Sequence, residues 1–244
     1  MNVALVIPAR YRSSRFPGKP LAPIGGKSMI RRVWERCIQA IEPERVFVAT
    51  DDDRIADHCR KAGIQSVMTS PDCLTGTDRV FDAAQQIEAD LYLNVQSDEP
   101  VIEPSDILKI LKAGRAHPGE VINGMCPITD EADYLSNTIP KVVARPDGDL
   151  LYMSRAPIPS NKQSRFVRAM KQVCIYAFPP ESLAAFASVT EKTPLEELED
   201  LEMLRFLELG HKVRMVEVST SSIAVDFPDD VARVEEMLRK TDGA

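Results

Sequence analysis

VALVIPARYRSSRFPGKP, residues 3–20, begins as a strand and continues as a basic loop. Val3 to Ile7 is apolar at every position and stops at Pro8, the pattern of a strand buried on both faces. Arg10, Arg12, Arg15 and Lys19 follow within ten positions, with two serines, Pro17 and Gly18 among them. Ligands of open α/β sheets sit at strand ends, and clustered Arg and Lys recognise phosphate. The segment therefore reads as a strand feeding a phosphate-binding loop. A solvated basic loop is the alternative, and the rest of the chain has to separate the two.

Outward from this stretch, strands and helices alternate. Ser28 is placed to cap a helix whose apolar positions are Met29, Ile30, Val33, Trp34, Cys37, Ile38 and Ile41. Val46–Thr50 reads as a second buried strand, ending in the turn-former cluster Asp51-Asp52-Asp53 before a helix to about Ala62. Ser66–Thr69 and Leu91–Val95 read as further strands, with helices over Thr77–Ile87 and around Ile107–Ala113. This alternation predicts an α/β fold with a doubly wound, mainly parallel sheet. The loops carrying Arg10, Asp51, Thr69 and Asp98 then share one sheet edge.

Beyond about residue 120 the character changes. Val121–Pro127, Lys141–Arg145, Leu150–Ser154 and Val173–Phe178 read as strands separated by Pro-rich loops, and Ala156–Ser164 (APIPSNKQS) as an irregular loop. Thr193-Pro194 opens one helix with the stripe Leu195, Leu198, Leu201, Leu204 and Leu207, closed by Gly210. The acidic run Glu196–Glu202 reads as its solvated face. Val213–Val218 is a late strand and Pro228–Arg239 a last helix. With neither a repeat nor a linker in view, residues 1–244 are expected to form a single domain, with an antiparallel insertion over about 120–190.

Composition narrows the partners. The 244 residues are 44% hydrophobic and 27% charged, which suits an ordinary globular protein. The net charge of -7 argues against nucleic acid and makes the basic cluster a local feature, fitted to a small anion. The five cysteines are scattered, without a C-x-x-C pair, so a cytoplasmic setting is expected rather than a disulfide framework or zinc site. No leader and no membrane insertion are expected, since no apolar run approaches spanning length. Both G-x-G-x-x-G and the P-loop are missing, and His58, His117 and His211 show no ligand spacing and read as ordinary surface or helix histidines.

Two constellations carry chemistry. Asp98 in NVQSDEP and Asp226 in AVDFP stand at two expected strand ends, where a pair of carboxylates suits a hard cation such as Mg2+; two unrelated loop aspartates are the alternative. In LTGTDR, Thr75, Gly76 and Thr77 offer hydroxyls and N–H groups to an anion or a base edge, and Arg79 offers a donor fork. An N-cap at Thr77 beside a surface arginine is the other reading.

Taken together, VIPARYRSSRFPGKPLAPIGGKSMI (6–30), VATDDDRI (48–55), TGTDR (75–79), NVQSDEP (94–100), KVVA (141–144), LLYMSRAPIP (150–159), PLEELEDLEMLRFLELG (194–210) and AVDFPDDV (224–231) resemble the 3-deoxy-manno-octulosonate (KDO) cytidylyltransferases. The resemblance spans nearly the whole chain. It implies a nucleotidyltransferase-type α/β domain with an antiparallel region used for homodimerisation. The implied reaction is CMP transfer from CTP to a 2-ulosonic acid with release of pyrophosphate, for surface polysaccharide or lipopolysaccharide synthesis. It further implies that Arg10 and Lys19 hold the phosphates, with Arg15 in the same loop. Pro8, Ala9, Thr75, Gly76 and Arg79 would hold cytosine and ribose, and Asp98 and Asp226 Mg2+. Gln96, Gln172, Tyr176, Glu202 and Met203 would face the sugar, and Lys19, Arg10 and Asp98 form the implied catalytic group.

The chain departs from the family at its sugar-facing positions. The usual N-x-Q-G-D-E-P has Ser97 for glycine, costly if that residue takes a positive φ. The usual K-H-x-G-I/V-Y has Gln172 and Cys174, and the usual glutamine of L-E-x-L-E-Q-L-R is Met203. An acceptor other than plain KDO, such as an amino-substituted one, is expected from these losses; plain KDO held through compensating contacts is the competing expectation. An acylneuraminate cytidylyltransferase and a non-catalytic nucleotide-binding relative are the rival readings.

Overall fold

The computed structural model describes residues 1–13, 16–220 and 223–242. The chain forms two compact units, Met1–Leu108 with Ser221–Ala244, and Lys109–Thr220.

In the first unit, β1 (Val3–Ala9) is buried along its whole length, as its unbroken apolar run requires. A short hairpin, β2 (Pro23–Ile24) and β3 (Lys27–Ser28), leads into α1 (Met29–Cys37). Met29, Ile30, Val33 and Cys37 form the buried stripe of α1. Then come β4 (Val46–Thr50), α2 (Asp53–Lys61), β5 (Gln65–Met68), α3 (Gly76–Ala84) and β6 (Leu91–Val95). β1 pairs in parallel with β4 and β6, and β4 in parallel with β5. The loops after β1, β4, β5 and β6 therefore share one edge. The chain leaves this unit within α4 (Pro104–Ala116).

The second unit holds β7 (Val121–Ile128), α5 (Glu131–Leu135), β8 (Lys141–Ala144), β9 (Leu150–Ser154) and β10 (Ala169–Phe178). α6 (Pro180–Ala187), α7 (Pro194–Glu199), α8 (Glu202–Glu208) and β11 (Val213–Glu217) complete it. β10 lies antiparallel to β7 and β8, β8 antiparallel to β9, and β11 parallel to β7. The core stacks Phe178 on Phe206 at 5.5 Å, with Phe186 4.9 Å from Phe206. Lys141 is fully buried, and its Nζ donates to the carbonyls of Ser136, Ile139 and Arg155 at 2.6–2.7 Å. Burial depresses its pKa, and the three carbonyls supply what water would have supplied.

The chain then returns to the first unit as α9 (Asp230–Asp242). Val225 and Val234 join a core cluster with Ile24, Met29 and Val101. The expected α/β class, with a mainly parallel doubly wound part and an antiparallel insertion, is what forms.

Several local expectations need correction. The single helix over 193–207 is two helices, because Asp200 sits in the left-handed region at φ 53. The carbonyls of Glu199 and Asp200 accept from Arg155 Nε (2.6 Å) and Nη2 (3.1 Å) instead of from the next helical turn. The leucine stripe breaks with it: Leu195 is exposed and Leu198 is 80% exposed. The acidic run is a solvated face only in part: Glu197 and Asp200 are exposed, but Glu196 is buried against Arg205 and Glu199 accepts from Ser154 and the Arg155 amide. The strand expected from Val173 begins at Ala169, α5 lies in a stretch read as loop, and α6 in one for which the sequence suggested no element. Ser28 does cap α1 by position, yet its hydroxyl pairs with His58 Nε2 at 2.7 Å, which makes that histidine a packing partner. No described helix is long and apolar enough to cross a membrane.

Candidate active site

Within the first unit, two clusters form at the strand-end edge. The first gathers on Arg79 of α3, only 3% exposed. Its Nη1 donates to Thr69 Oγ1 at 2.6 Å and lies 3.4 Å from Asp51 Oδ1, joining the loops after β4 and β5. Arg79 is thus a buried brace rather than a surface arginine. The cap of α3 is Thr75, not Thr77: Thr75 Oγ1 accepts from the Asp78 amide at 3.2 Å, and Asp78 Oδ2 accepts from the Thr75 amide at 2.9 Å. Gly76 follows for a steric reason. A Cβ there would stand 2.8 Å from Gln96 Nε2, so the glycine lets the Gln96 amide lie against the helix start. Burial pushes the Cys73 thiol nearby up to about 11, which keeps it protonated and out of nucleophilic chemistry at neutral pH.

The second cluster centres on Lys19. Its Nζ donates to Asp98 Oδ2 at 2.6 Å and to the Val225 carbonyl at 2.9 Å, with the Lys19 side chain 13% exposed. The Val225 amide donates to the Asp98 carbonyl at 2.9 Å, tying the loop after β6 to the returning segment. Asp230 Oδ2 accepts from the amides of Asp226 and Phe227 at 3.0 and 2.9 Å, shaping the turn that carries Asp226. Asp98 and Asp226 are thus on segments locked side by side, 128 positions apart in sequence.

The basic loop itself has a fixed frame. The Gly18 amide donates to the Tyr11 carbonyl at 2.8 Å, and Gly18 takes φ 73 with the Tyr11 ring where a Cβ would be, 3.1 Å away. The Arg54 guanidinium lies over that ring, 3.3 Å from its centre, and pairs with Asp52 at 2.7 Å. The hydrogen bonds from Arg54 lower the Asp52 pKa, with Arg12 contributing. Pro8 and Ala9 are buried at the end of β1, whereas Arg10 is exposed and makes no ion pair among the described residues. Arg15 lies outside the described residues. Ser97 does not take a positive φ, so serine replaces the family's glycine without backbone strain.

Asp98 and Asp226 offer carboxylate oxygens, the ligand type that a hard cation takes. Lys19 already places a positive charge against a carboxylate and a carbonyl, and the available ligands are oxygens. No cluster of three or more His, Cys, Asp or Glu forms among the described residues. That donor set suits Mg2+, which keeps several waters and takes one or two carboxylates plus substrate phosphates.

In the second unit, Gln172 and Tyr176, two of the positions expected to face a sugar, lie on β10. Gln172 Nε2 donates to Asn123 Oδ1 at 3.0 Å and to Tyr176 Oη at 3.3 Å. Cys174 lies in a bulge between Val173 and Tyr176. Glu202 begins α8, and Met203 beside it is fully buried. Sequence reasoning missed Asn123, although Gly124 inside a strand pattern is the usual mark of a bulge.

Comparison with known proteins identifies the family. The Cytidylyltransferase family profile matches residues 4–213. The chain is 42% identical over 243 residues to the 8-amino-3,8-dideoxy-manno-octulosonate cytidylyltransferase of Shewanella oneidensis, covering 98% of this chain and 99% of that one. The Shewanella baltica protein of the same name is also 42% identical with the same coverage. Among solved structures, CMP:2-keto-3-deoxy-manno-octonic acid synthetase complexed with CTP superposes with a TM-score of 0.92 at 36% identity, over 99% of this chain and 100% of that one. With a profile across most of its length, near full-length relatives and a shared fold, the chain belongs to the cytidylyltransferase family.

Proposed function

We propose that the protein transfers CMP from CTP to the anomeric hydroxyl of a 3-deoxy-2-ulosonic acid, KDO or its 8-amino analogue, and releases pyrophosphate. The observation that carries this reading is the Lys19 ammonium, held between the Asp98 carboxylate and the Val225 carbonyl at the strand-end edge. The names of the full-length relatives support the ulosonate as acceptor.

The nucleophile is already on the sugar, so the protein's task is alignment and charge. Arg10 and Lys19 bind the triphosphate, and Lys19 neutralises charge that builds on the departing pyrophosphate. Arg15 is assigned to the same loop. Pro8, Ala9, Thr75 and Gly76 bind the nucleoside, and Arg79 orients that wall through Asp51 and Thr69. Gln96, Gln172, Tyr176, Glu202 and Met203 are assigned to the sugar acid. Asp98 and Asp226 would hold Mg2+, which supplies charge neutralisation on phosphate oxygens and lowers the pKa of a bound hydroxyl.

We assign the activity to the cytoplasm, in the making of surface polysaccharide or lipopolysaccharide, and to a homodimer. Exposed apolar side chains in the second unit support the last point, Val167 at 74% and Leu198 at 80%. Sedimentation at micromolar concentration tests it, and a monomer there would refute it. The test of the reaction is pyrophosphate release from CTP and Mg2+ with KDO, 8-amino-KDO and nonulosonic acids. Release with an octulosonate, abolished by EDTA and restored by Mg2+, is expected. Release only with nonulosonic acids, or CTP binding without release, refutes the reading.

A further inference from the structure

Asn123 and Gly124 on β7 face an irregularity in β10. The pairing of the two strands runs from Gln172↔Met125 and Val173↔Gly124 directly to Tyr176↔Asn123, so the register skips Cys174 and Ile175. Each half of the Asn-Gly pair serves this bulge. A Cβ on Gly124 would lie 2.8 Å from Ile175 Cγ2 and 3.3 Å from the Val173 carbonyl, so only glycine leaves room. Asn123 is fully buried, and its Nδ2 donates to both carbonyls that the bulge releases, Val173 and Ile175, each at 3.0 Å.

This arrangement sets a polarity. Both Nδ2 hydrogens of Asn123 are committed to carbonyls. Turning that amide over would aim its oxygen at two carbonyl oxygens in a buried site, which is strongly unfavourable. Asn123 Oδ1 therefore only accepts, and its donor is Gln172 Nε2 at 3.0 Å. The second Nε2 hydrogen reaches Tyr176 Oη at 3.3 Å. The Gln172 amide is thereby oriented as well, and its Oε1, without a partner among the described residues, is left as an acceptor.

We infer that Asn123 is a positioning residue which locks Gln172 as a hydrogen-bond acceptor, so that the sugar site favours an acid bearing a protonated amine over one bearing a hydroxyl, a neutral and weaker donor, and disfavours most a group with no donor. The inference rests on the assignment of Gln172 to the sugar acid. An ammonium has three donors and no acceptor, so it matches a fixed amide oxygen in any rotation, and a charged donor strengthens the bond.

The test compares kcat/KM for 8-amino-KDO and KDO, by pyrophosphate release, in the wild type, Gln172→Met, Asn123→Ala and the double variant. The wild type is expected to favour the amino acid by about 10- to 100-fold. Gln172→Met should bring the ratio towards unity, and Asn123→Ala should lower it. The double variant should match Gln172→Met alone, because Asn123 acts through Gln172. A wild-type ratio near unity, independent effects of the two substitutions, or loss of both activities by one common factor in Asn123→Ala would overturn the inference. If Asn123→Ala does not fold, 8-O-methyl-KDO, which has no donor at that position, replaces it. That analogue should be the poorest of the three in the wild type, and turnover equal to that of the amine overturns the proposal. Silence on every ulosonic acid is a different result: it removes the proposed reaction itself, and this inference with it.

Discussion

Glu196→Leu tests whether the acidic run is structural. Arg205 Nε and Nη2 donate to the two Glu196 oxygens at 2.5 and 2.6 Å, with the side chains 0% and 1% exposed. The Arg205 guanidinium also lies 3.7 Å over the Phe186 ring, so the charge has no path to water. Glu196 Oε2 accepts from the Thr193 amide at 3.2 Å as well. Removing one partner of a buried pair leaves the other charge desolvated, at a cost of about 3–5 kcal/mol. For a chain of this size that is a fall in Tm of roughly 6–20 °C. Urea denaturation followed by circular dichroism gives the free energy directly. The double variant Glu196→Leu/Arg205→Met should recover most of the loss, because the charge leaves with its partner. Arg31→Ala is the control: its 3.0 Å pair with Glu35 is exposed on α1, worth about 0.3–0.5 kcal/mol. If Glu196→Leu costs no more than Arg31→Ala, or the double variant is no more stable than the single, the reasoning from burial is wrong.

Lys19→Met should lower kcat by about 10²–10³-fold at saturating CTP, and Lys19→Arg should not restore it, because a planar fork cannot replace a point charge between Asp98 and Val225; near-normal turnover in Lys19→Met would refute the role. Gly76→Ala displaces the flexible end of Gln96, so stability should change by less than about 1 kcal/mol while KM for the sugar acid rises. An unchanged KM would separate Gln96 from the acceptor. The hydrogen bond from Arg214 holds the Glu120 carboxyl below its ordinary range, at 2.6 Å. Its stabilisation is complete above the unfolded-state value of about 4.3 and is lost as pH falls through the lower folded value. Glu120→Gln should therefore be less stable than the wild type at pH 7 and converge with it under strong acid; a constant difference across an acid urea series would contradict this linkage.

The parallel strands were legible because burial leaves nearly unbroken apolar runs: the expected bounds of β4 and β6 are those observed. Lys19, Asp98 and Asp226 stood out for a similar reason, as charged residues beside strand ends or helix starts. The α7–α8 break was not legible, because it is made by Arg155, 45 positions before Asp200, capturing carbonyls that helical periodicity assigns to the next turn. The roles of Arg79 and Glu196 were hidden likewise: a charge is read as solvated unless its distant partner is known.

By itself, then, the sequence determined the alternating α/β plan, the basic loop after β1 and the carboxylates flanking it, since each depends on the order of neighbouring side chains. The tertiary structure alone decided that Lys19 bridges Asp98 and the Val225 carbonyl, that Arg79 braces two loops, and that Asn123 aims Gln172. Hydrogen-bond polarity and the pairing of buried charge belong to groups distant along the chain, and only folding brings them within the 3 Å or so over which such bonds act.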